Sequence, residues 1–307
     1  MSTVISIGQR IPGFSRPKEI GQAILKSLRP LEWLKNLFVF SSLFFSGEVT
    51  VIGNAGKVSL VFLSFSALSS AVYLFNDLND SEHDRNHPVK RYRPIASGQL
   101  PPRLAIASIG VLTALSFILV ISLPVVWGAL LAYGLLNVLY TLWLKNMIIL
   151  DVFSIAIGFV LRVFAGGLAV GLAPSSWLIT NTFLLSLVLG LGKRRYEVLT
   201  MKEAAGSHRS VLDEYTVDVV DSLISVVTPL TVVTYLLYTL DETTVARFHA
   251  PRLYLTAIFV VFGIFRYLYL VHRRDLGGSP TELIVHDVPL ALAIIGWVIT
   301  FVSIVYF

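Results

Sequence analysis

Nine apolar stretches, each close to the ~20 residues a helix needs to cross a bilayer, recur along this sequence. They run over 34–50, 58–78, 102–122, 124–143, 147–172, 176–193, 216–238, 252–272 and 285–306. A chain patterned in this way must satisfy its backbone within each segment, so the fold class is an all-α integral membrane protein with nine transmembrane helices. Charge content agrees: 14% of the 307 residues are charged, against about 25% in a soluble domain. Cysteine is absent, which excludes disulfides, thiolate metal sites and a cysteine nucleophile. The six histidines show no ligand-like spacing.

An odd number of spans puts the termini on opposite sides. Of the 24 Lys and Arg, 19 fall in or beside the N-terminal tail and the loops after segments two, four, six and eight. Three (Lys57, Arg247, Arg252) fall on the other side, and Arg162 and Arg266 lie inside spans. The positive-inside rule then expects a cytoplasmic N-terminus. Residues 1–16 carry no pattern and read as a flexible tail, without the early apolar core of a signal peptide. From 17 to 29, Ile20, Ile24, Leu25 and Leu28 recur at helical spacing, as in an interfacial helix ended by Pro30. Trp33 and Lys35 then flank the first span as interfacial residues do. Residues 17–307 read as a single nine-helix domain.

The densest charge lies at 76–98, NDLNDSEHDRNHPVKRYRPIASG, directly after the second span. If that helix continues, Asp77, Asp80 and Asp84 fall within roughly 60° of one another on one face. Carboxylates at a helix C-terminus oppose the macrodipole and call for a counter-charge, and oxygen ligands at this spacing suit Mg²⁺. Lys90, Arg91 and Arg93 follow as anion-binding donors. Metal plus arginines reads as a site for a pyrophosphate-bearing substrate; the bland alternative is a solvated loop whose charges only fix topology.

A second charged stretch, GKRRYE at 192–197, follows the sixth span, so the chain reads as a weakly duplicated unit. Glu197 stands among Lys193, Arg194 and Arg195, and Lys193 with Glu197 at i, i+4 suits either a site or a simple pair. Polar residues within spans usually face the bundle interior. Asn137, Tyr140, Asp151, Arg162 and Arg266 with Tyr267 are the candidates; Asp151 is equally read as an interfacial charge. Arg162, followed by Ala165, Gly166 and Gly167, suits close helix packing beside a polar cavity.

The stretch Asn76, Asp77, Asp80, Asp84 resembles the first motif, N-D-x-x-D-x-x-x-D, of the UbiA superfamily of intramembrane prenyltransferases. The resemblance implies nine helices around a central cavity, with Mg²⁺-diphosphate at its cytoplasmic mouth. Members typically carry a second motif, D-x-x-x-D, after helix six; here Lys193 and Glu197 occupy that spacing. This departure resembles the branch that moves phosphoribose from phosphoribosyl pyrophosphate to a polyprenyl, decaprenyl-type phosphate, releasing pyrophosphate, in cell-wall arabinan precursor synthesis. The stretches that carry it are RPLEWLKN (29–36), SAVYLFNDLNDSEHDRNHPVKRYRPIASG (70–98), LRVFAGGLA (161–169) and GKRRYE (192–197). The charge balance points the same way, since a diphosphate, a 5-phosphate and an attacking phosphate suit a more basic second motif.

The resemblance implies a Mg-dependent glycosyltransferase of the cell membrane, multi-pass, acting on the cytoplasmic face. Asp77, Asp80 and Asp84 would hold Mg²⁺, with Asp77, Asp80 and Lys193 catalytic. Lys35, Asn76, Lys90, Arg91, Arg93, Arg162, Arg194, Tyr196, Glu197 and Arg266 would bind substrate. The partners would be phosphoribosyl pyrophosphate, a polyprenyl phosphate and the bilayer, with no nucleic acid and with homo-oligomerisation open. The competing enzyme reading is transfer of a prenyl group from a prenyl diphosphate to a small acceptor. A transporter lined by Arg162 and Arg266 would need matched helix breaks, and no convincing pair is present.

Overall fold

The computed structural model describes residues 17–48, 51, 53–87, 89–203, 215–274 and 277–307. The tail at 1–16 and Asp275 of the polar loop after the eighth segment lie outside them. Among the described residues every regular element is helical. Helix α1 (Pro17–Leu28) leads into a 3₁₀ helix (Pro30–Phe40) and the short α2 (Ser41–Phe44). Then come α3 (Asn54–Asn79), α4 (Ser81–Asn86), α5 (Pro102–Leu119), α6 (Trp127–Leu142) and α7 (Leu150–Ala169). The chain ends with α8 (Ser176–Glu203), α9 (Val217–Leu240), α10 (Glu242–Phe248), α11 (Ala257–Arg273), α12 (Pro280–His286) and α13 (Val288–Tyr306).

Among the described residues, eight helices are long and apolar enough to cross a bilayer, and they follow the second to ninth expected segments closely. The chain is a multi-pass membrane protein. Two boundaries differ from the expectation. The first segment, expected at 34–50, is helical from Pro30 to Phe44 and mostly 3₁₀. It is short by residue count, but the stretched 3₁₀ rise carries it about 28 Å. Helix α8 does not stop at 193 but runs on to Glu203, so GKRRYE is helical rather than loop. No Gly or Pro follows Gly192 until Gly206, and the buried Arg194 and Arg195 find carboxylate partners there.

Helices α3 and α7 are the most enclosed spans, whereas α5 and α13 leave most of their residues outside the protein interior. The buried face of α3 carries Ser64, Ser66, Ser69 and Ser70, and the 3₁₀ helix lies against the last three. Trp33 Nε1 donates to Ser70 Oγ at 3.0 Å, and Asn36 Nδ2 donates to Ser66 and Ser69 at 3.1 and 3.3 Å. From the opposite side, Gly166 of α7 admits the same element: a Cβ there would stand 1.7 Å from the Val39 carbonyl oxygen. The small residues beside Arg162 therefore exist to let a backbone approach.

Arg162 itself is buried and ties these elements together. Its Nε donates to Asn36 Oδ1 (2.8 Å), Nη1 to the Gly158 carbonyl (2.7 Å) and Nη2 to the Tyr133 hydroxyl (2.9 Å). The rings of Tyr133, Phe159 and Phe65 lie 4.6, 5.3 and 5.9 Å from the guanidinium. These rings supply the negative faces that a desolvated cation needs. A buried charge in a membrane protein is costly, and this one is held by neutral oxygens and π faces.

Candidate active site

The first motif sits where α3 ends. The helix runs through Asn79 and bends at Asp80 (φ −92°, ψ 1°), and α4 resumes at Ser81. The hydrogen-bond ladder crosses the bend, from Asp80 N–H to Asn76 O and from Asp84 N–H to Asp80 O, both 2.9 Å. Asp77 and Asp84 consequently share one face, as expected, and Arg93 bridges them at 3.0 and 2.7 Å. Arg29 adds a second guanidinium to Asp77 at 2.6 Å. Asp80 departs from this face: its carboxylate meets Lys145 Nζ at 2.5 Å, in the short turn between α6 and α7. The three acids therefore form a pair and a single group, each already holding a cation.

The basic block divides as well. Arg93 turns inward to the acids, whereas Arg91 is exposed and donates to the Tyr92 hydroxyl at 2.7 Å. Lys90 lies beside His87 and is half-buried. The His87 Nδ1 accepts the backbone N–H groups of Val89 and Lys90, each at 3.2 Å. Burial, and then the Lys90 ammonium, hold the His87 imidazole below its ordinary value. The charged groups around His87 also include Asp84, Arg93 and Glu197, so the first and second motifs converge at the same end of the bundle.

In the second motif the simple Lys193–Glu197 pair, one of the two readings, does not form; Arg194, one residue on, binds Glu197 at i, i+3. Arg194 also reaches Asp151 at 2.7 Å, and Tyr215 donates to the same carboxylate at 2.9 Å. Asp151 is fully buried, so the interfacial alternative for it does not hold. Arg195 is buried too, binding Asp221 at 2.8 Å and the Val271 carbonyl at 3.0 Å. Lys193 is different. It makes no hydrogen bond or ion pair among the described residues, and its charged neighbours are Glu197, Lys35, Arg194 and Glu32. Lys35 itself pairs with Glu32 on the 3₁₀ helix.

Other expected site residues are committed elsewhere. Arg266 forms a two-pronged pair with Asp287, at 3.0 and 2.8 Å, joining α11 to the start of α13. Tyr196 is half-buried beneath Gly277 and Gly278, where a Cβ would meet the tyrosine side chain at 3.3 and 2.6 Å. Asn76 keeps its Oδ1 buried without a hydrogen-bond partner among the described residues. The sequence reading missed Arg29 and Lys145 as partners of the acids. Lys145 had a signal, as the basic residue of a very short loop facing the motif. Arg29 had little beyond its place before Pro30, which disfavours αR; it adopts the left-handed region (φ 53°, ψ 63°).

The donors present fit a hard divalent cation. The group comprises three carboxylates within eight residues and an orphaned amide oxygen, all oxygen ligands. Among the described residues no three acidic or histidine side chains stand close enough to hold an ion alone. One or two carboxylates plus substrate phosphates is the usual arrangement for Mg²⁺. Mixed acids and cations at one membrane face can therefore take a polyanion both through a metal and directly.

The sequence matches the UbiA prenyltransferase family over residues 37–284. It is 31% identical to decaprenyl-phosphate phosphoribosyltransferase of Corynebacterium glutamicum, over 94% of this chain and 89% of that protein. It is 30% identical to the Mycolicibacterium smegmatis protein of that name, over 96% of each chain. Its fold is similar to a UbiA homolog from Archaeoglobus fulgidus solved with DMAPP and Mg²⁺, with TM-score 0.67 at 18% identity, covering 92% of this chain and 99% of that one. This chain belongs to the UbiA prenyltransferase family.

Proposed function

We propose that this protein is a phosphoribosyltransferase of the cell membrane that transfers 5-phosphoribose from phosphoribosyl pyrophosphate to a polyprenyl phosphate at the cytoplasmic face. One observation carries the reading beyond the family. The position where a second metal-binding carboxylate would stand is Lys193, an ammonium without a hydrogen bond or ion pair among the described residues, beside Lys35. A prenyl diphosphate and a neutral acceptor bring one polyanion, already provided for by the first motif. A lipid phosphate and a sugar 5-phosphate each add a dianion, and an uncommitted lysine is suited to receive one. The names of the 30–31% identical relatives support the same chemistry.

One or two of Asp77, Asp80 and Asp84, with Asn76, would hold Mg²⁺ together with the substrate phosphates, and the ion when bound supplies positive charge against the pyrophosphate. Arg93 and Arg29, already at the Asp77 carboxylate, stabilise the charge that builds on the leaving group. The bond from the sugar C1 to the pyrophosphate oxygen breaks, and its electron pair leaves with the pyrophosphate. A lipid phosphate oxygen attacks C1 from the opposite face and forms the new C–O bond. The nucleophile is already anionic, so no proton has to be removed. Lys193 and Lys35 orient the incoming phosphate. Arg194 is part of the scaffold, because both its carboxylate partners are protein groups.

The test is Lys193→Ala in membranes. Losing one charge-assisted contact, worth about 1.5–3 kcal/mol, lowers kcat/KM by roughly ten- to a hundredfold. Wild-type kinetics in a correctly inserted Lys193→Ala protein contradict the assignment.

A further inference from the structure

We infer that Tyr73 binds a hydroxyl of the transferred sugar and so makes the site selective for ribose; this rests on the phosphoribosyl reading above. Tyr73 lies on α3 four residues before Asp77, on the same helix face and one turn deeper in the bundle. Arg29 fixes both residues: its guanidinium stacks 5.0 Å from the Tyr73 ring centroid and binds the Asp77 carboxylate at 2.6 Å. With one face of the ring covered by Arg29, the hydroxyl at its edge is left for another partner. That hydroxyl makes no hydrogen bond among the described residues, although Tyr73 is half-buried and surrounded by Tyr133, Glu32, Arg162 and Arg29. The hydroxyl oxygen is not one of the fully buried unpartnered atoms and keeps accessible surface, where a ligand that donates or accepts can meet it.

What the partner is follows from spacing along the helix. Asp77 marks where the pyrophosphate is held. One helical turn inward is about 5.4 Å, the distance from a diphosphate through its bridging oxygen and C1 to the hydroxyls of a five-membered ring. A phosphate at this depth would call for a cation. Of the nearby guanidiniums, Arg29 sits at the Asp77 carboxylate, where the pyrophosphate is held, and Arg162 is engaged by neutral protein oxygens. A neutral phenol that can donate and accept suits a sugar hydroxyl. A site built to hydrogen-bond a substrate hydroxyl also rejects analogues that lack it.

The experiment compares wild type and Tyr73→Phe, which removes one oxygen and keeps the ring beneath Arg29. Each is assayed in membranes with polyprenyl phosphate and with phosphoribosyl pyrophosphate, its 2-deoxy analogue or its 3-deoxy analogue. The wild type should lose about tenfold in kcat/KM on one of the two deoxy donors. Tyr73→Phe should lose about as much on the natural donor and nothing further on that analogue, with an unchanged melting temperature. The inference is overturned if the wild type does not discriminate against either analogue, or if Tyr73→Phe keeps the wild-type discrimination. A wild type that turns over phosphoribosyl pyrophosphate while Tyr73→Phe behaves identically overturns this inference alone. A wild type inert toward phosphoribosyl pyrophosphate overturns the reaction as well.

Discussion

The Arg194 guanidinium lies 2.7 Å from the Asp151 carboxylate, and both side chains are buried between α7 and α8. With Glu197 and Tyr215 on the same cluster, Arg194 is held by two protein carboxylates, although its Nε has no hydrogen-bond partner among the described residues, whereas its neighbour Lys193 makes no hydrogen bond or ion pair among them. Two adjacent cations of one motif thus differ in their partners.

Replacing Arg194 should therefore be read in stability. Arg194→Ala leaves the Asp151 carboxylate buried without its counter-charge, a change worth about 3–5 kcal/mol. The detergent-solubilised protein should show a clear drop in melting temperature, whereas Lys193→Ala should melt like wild type. Equal melting of the two variants would put Arg194 in the same class as Lys193.

Asp77 holds two arginines while nearly inaccessible, and Asp80 holds one lysine at a more open position. Asp77→Asn should abolish turnover and also lower stability by about 1–3 kcal/mol, the cost of weakening a buried charge-assisted contact. Asp80→Asn should mainly raise the Mg²⁺ concentration needed for half-maximal rate. A Mg²⁺ titration that is superimposable on wild type would remove Asp80 from the metal site.

Gly166→Ala tests the approach of α7 to the 3₁₀ helix. The added Cβ would stand 1.7 Å from the Val39 carbonyl oxygen, with backbone on both sides of the clash. The two elements must separate, costing about 3 kcal/mol or more. Because the 3₁₀ helix carries Lys35, activity should fall together with stability. Gly128, around which nothing lies within 4 Å, is the control: Gly128→Ala should be neutral.

The loop after α4 should be sensitive to acid. His87 is held below its ordinary value by burial and by Lys90, so the folded loop binds fewer protons than the unfolded chain. Stability then falls as pH drops below the unfolded value of about 6.5 and is flat above it. In a His87→Asn protein, whose amide oxygen can still accept the Val89 and Lys90 N–H groups, the acid-side fall in melting temperature should shrink. An unchanged profile would assign that fall to another group.

Much of this architecture is legible in the residues, because a bilayer leaves a segment of about twenty apolar residues few options. The segments expected at 124–143 and 176–193 begin at Pro124 and just after Pro174, and both appear with little displacement at their N-terminal ends. The 3₁₀ winding at 30–40 was not legible. It depends on Arg162, Asn36 and the α3 serines meeting from three different elements. In the site, the shared face of Asp77 and Asp84 followed from helical spacing, whereas the turn of Asp80 to Lys145 and the pairing of Arg93 with the acids did not. The partners of Arg29, Lys145 and Asp151 were hidden, since each meets its partner across more than forty residues. Periodicity within one element cannot reveal that.

Phosphoribosyl transfer and prenyl transfer differ in which donor releases pyrophosphate. Membranes containing the wild-type protein and polyprenyl phosphate, supplied with Mg²⁺, are given either phosphoribosyl pyrophosphate or a prenyl diphosphate with a small aromatic acceptor. Pyrophosphate and a new phosphoribosylated lipid should form in the first mixture only, with the signal abolished in Asp77→Asn. Consumption of the prenyl diphosphate, with phosphoribosyl pyrophosphate left intact, would contradict phosphoribosyl transfer.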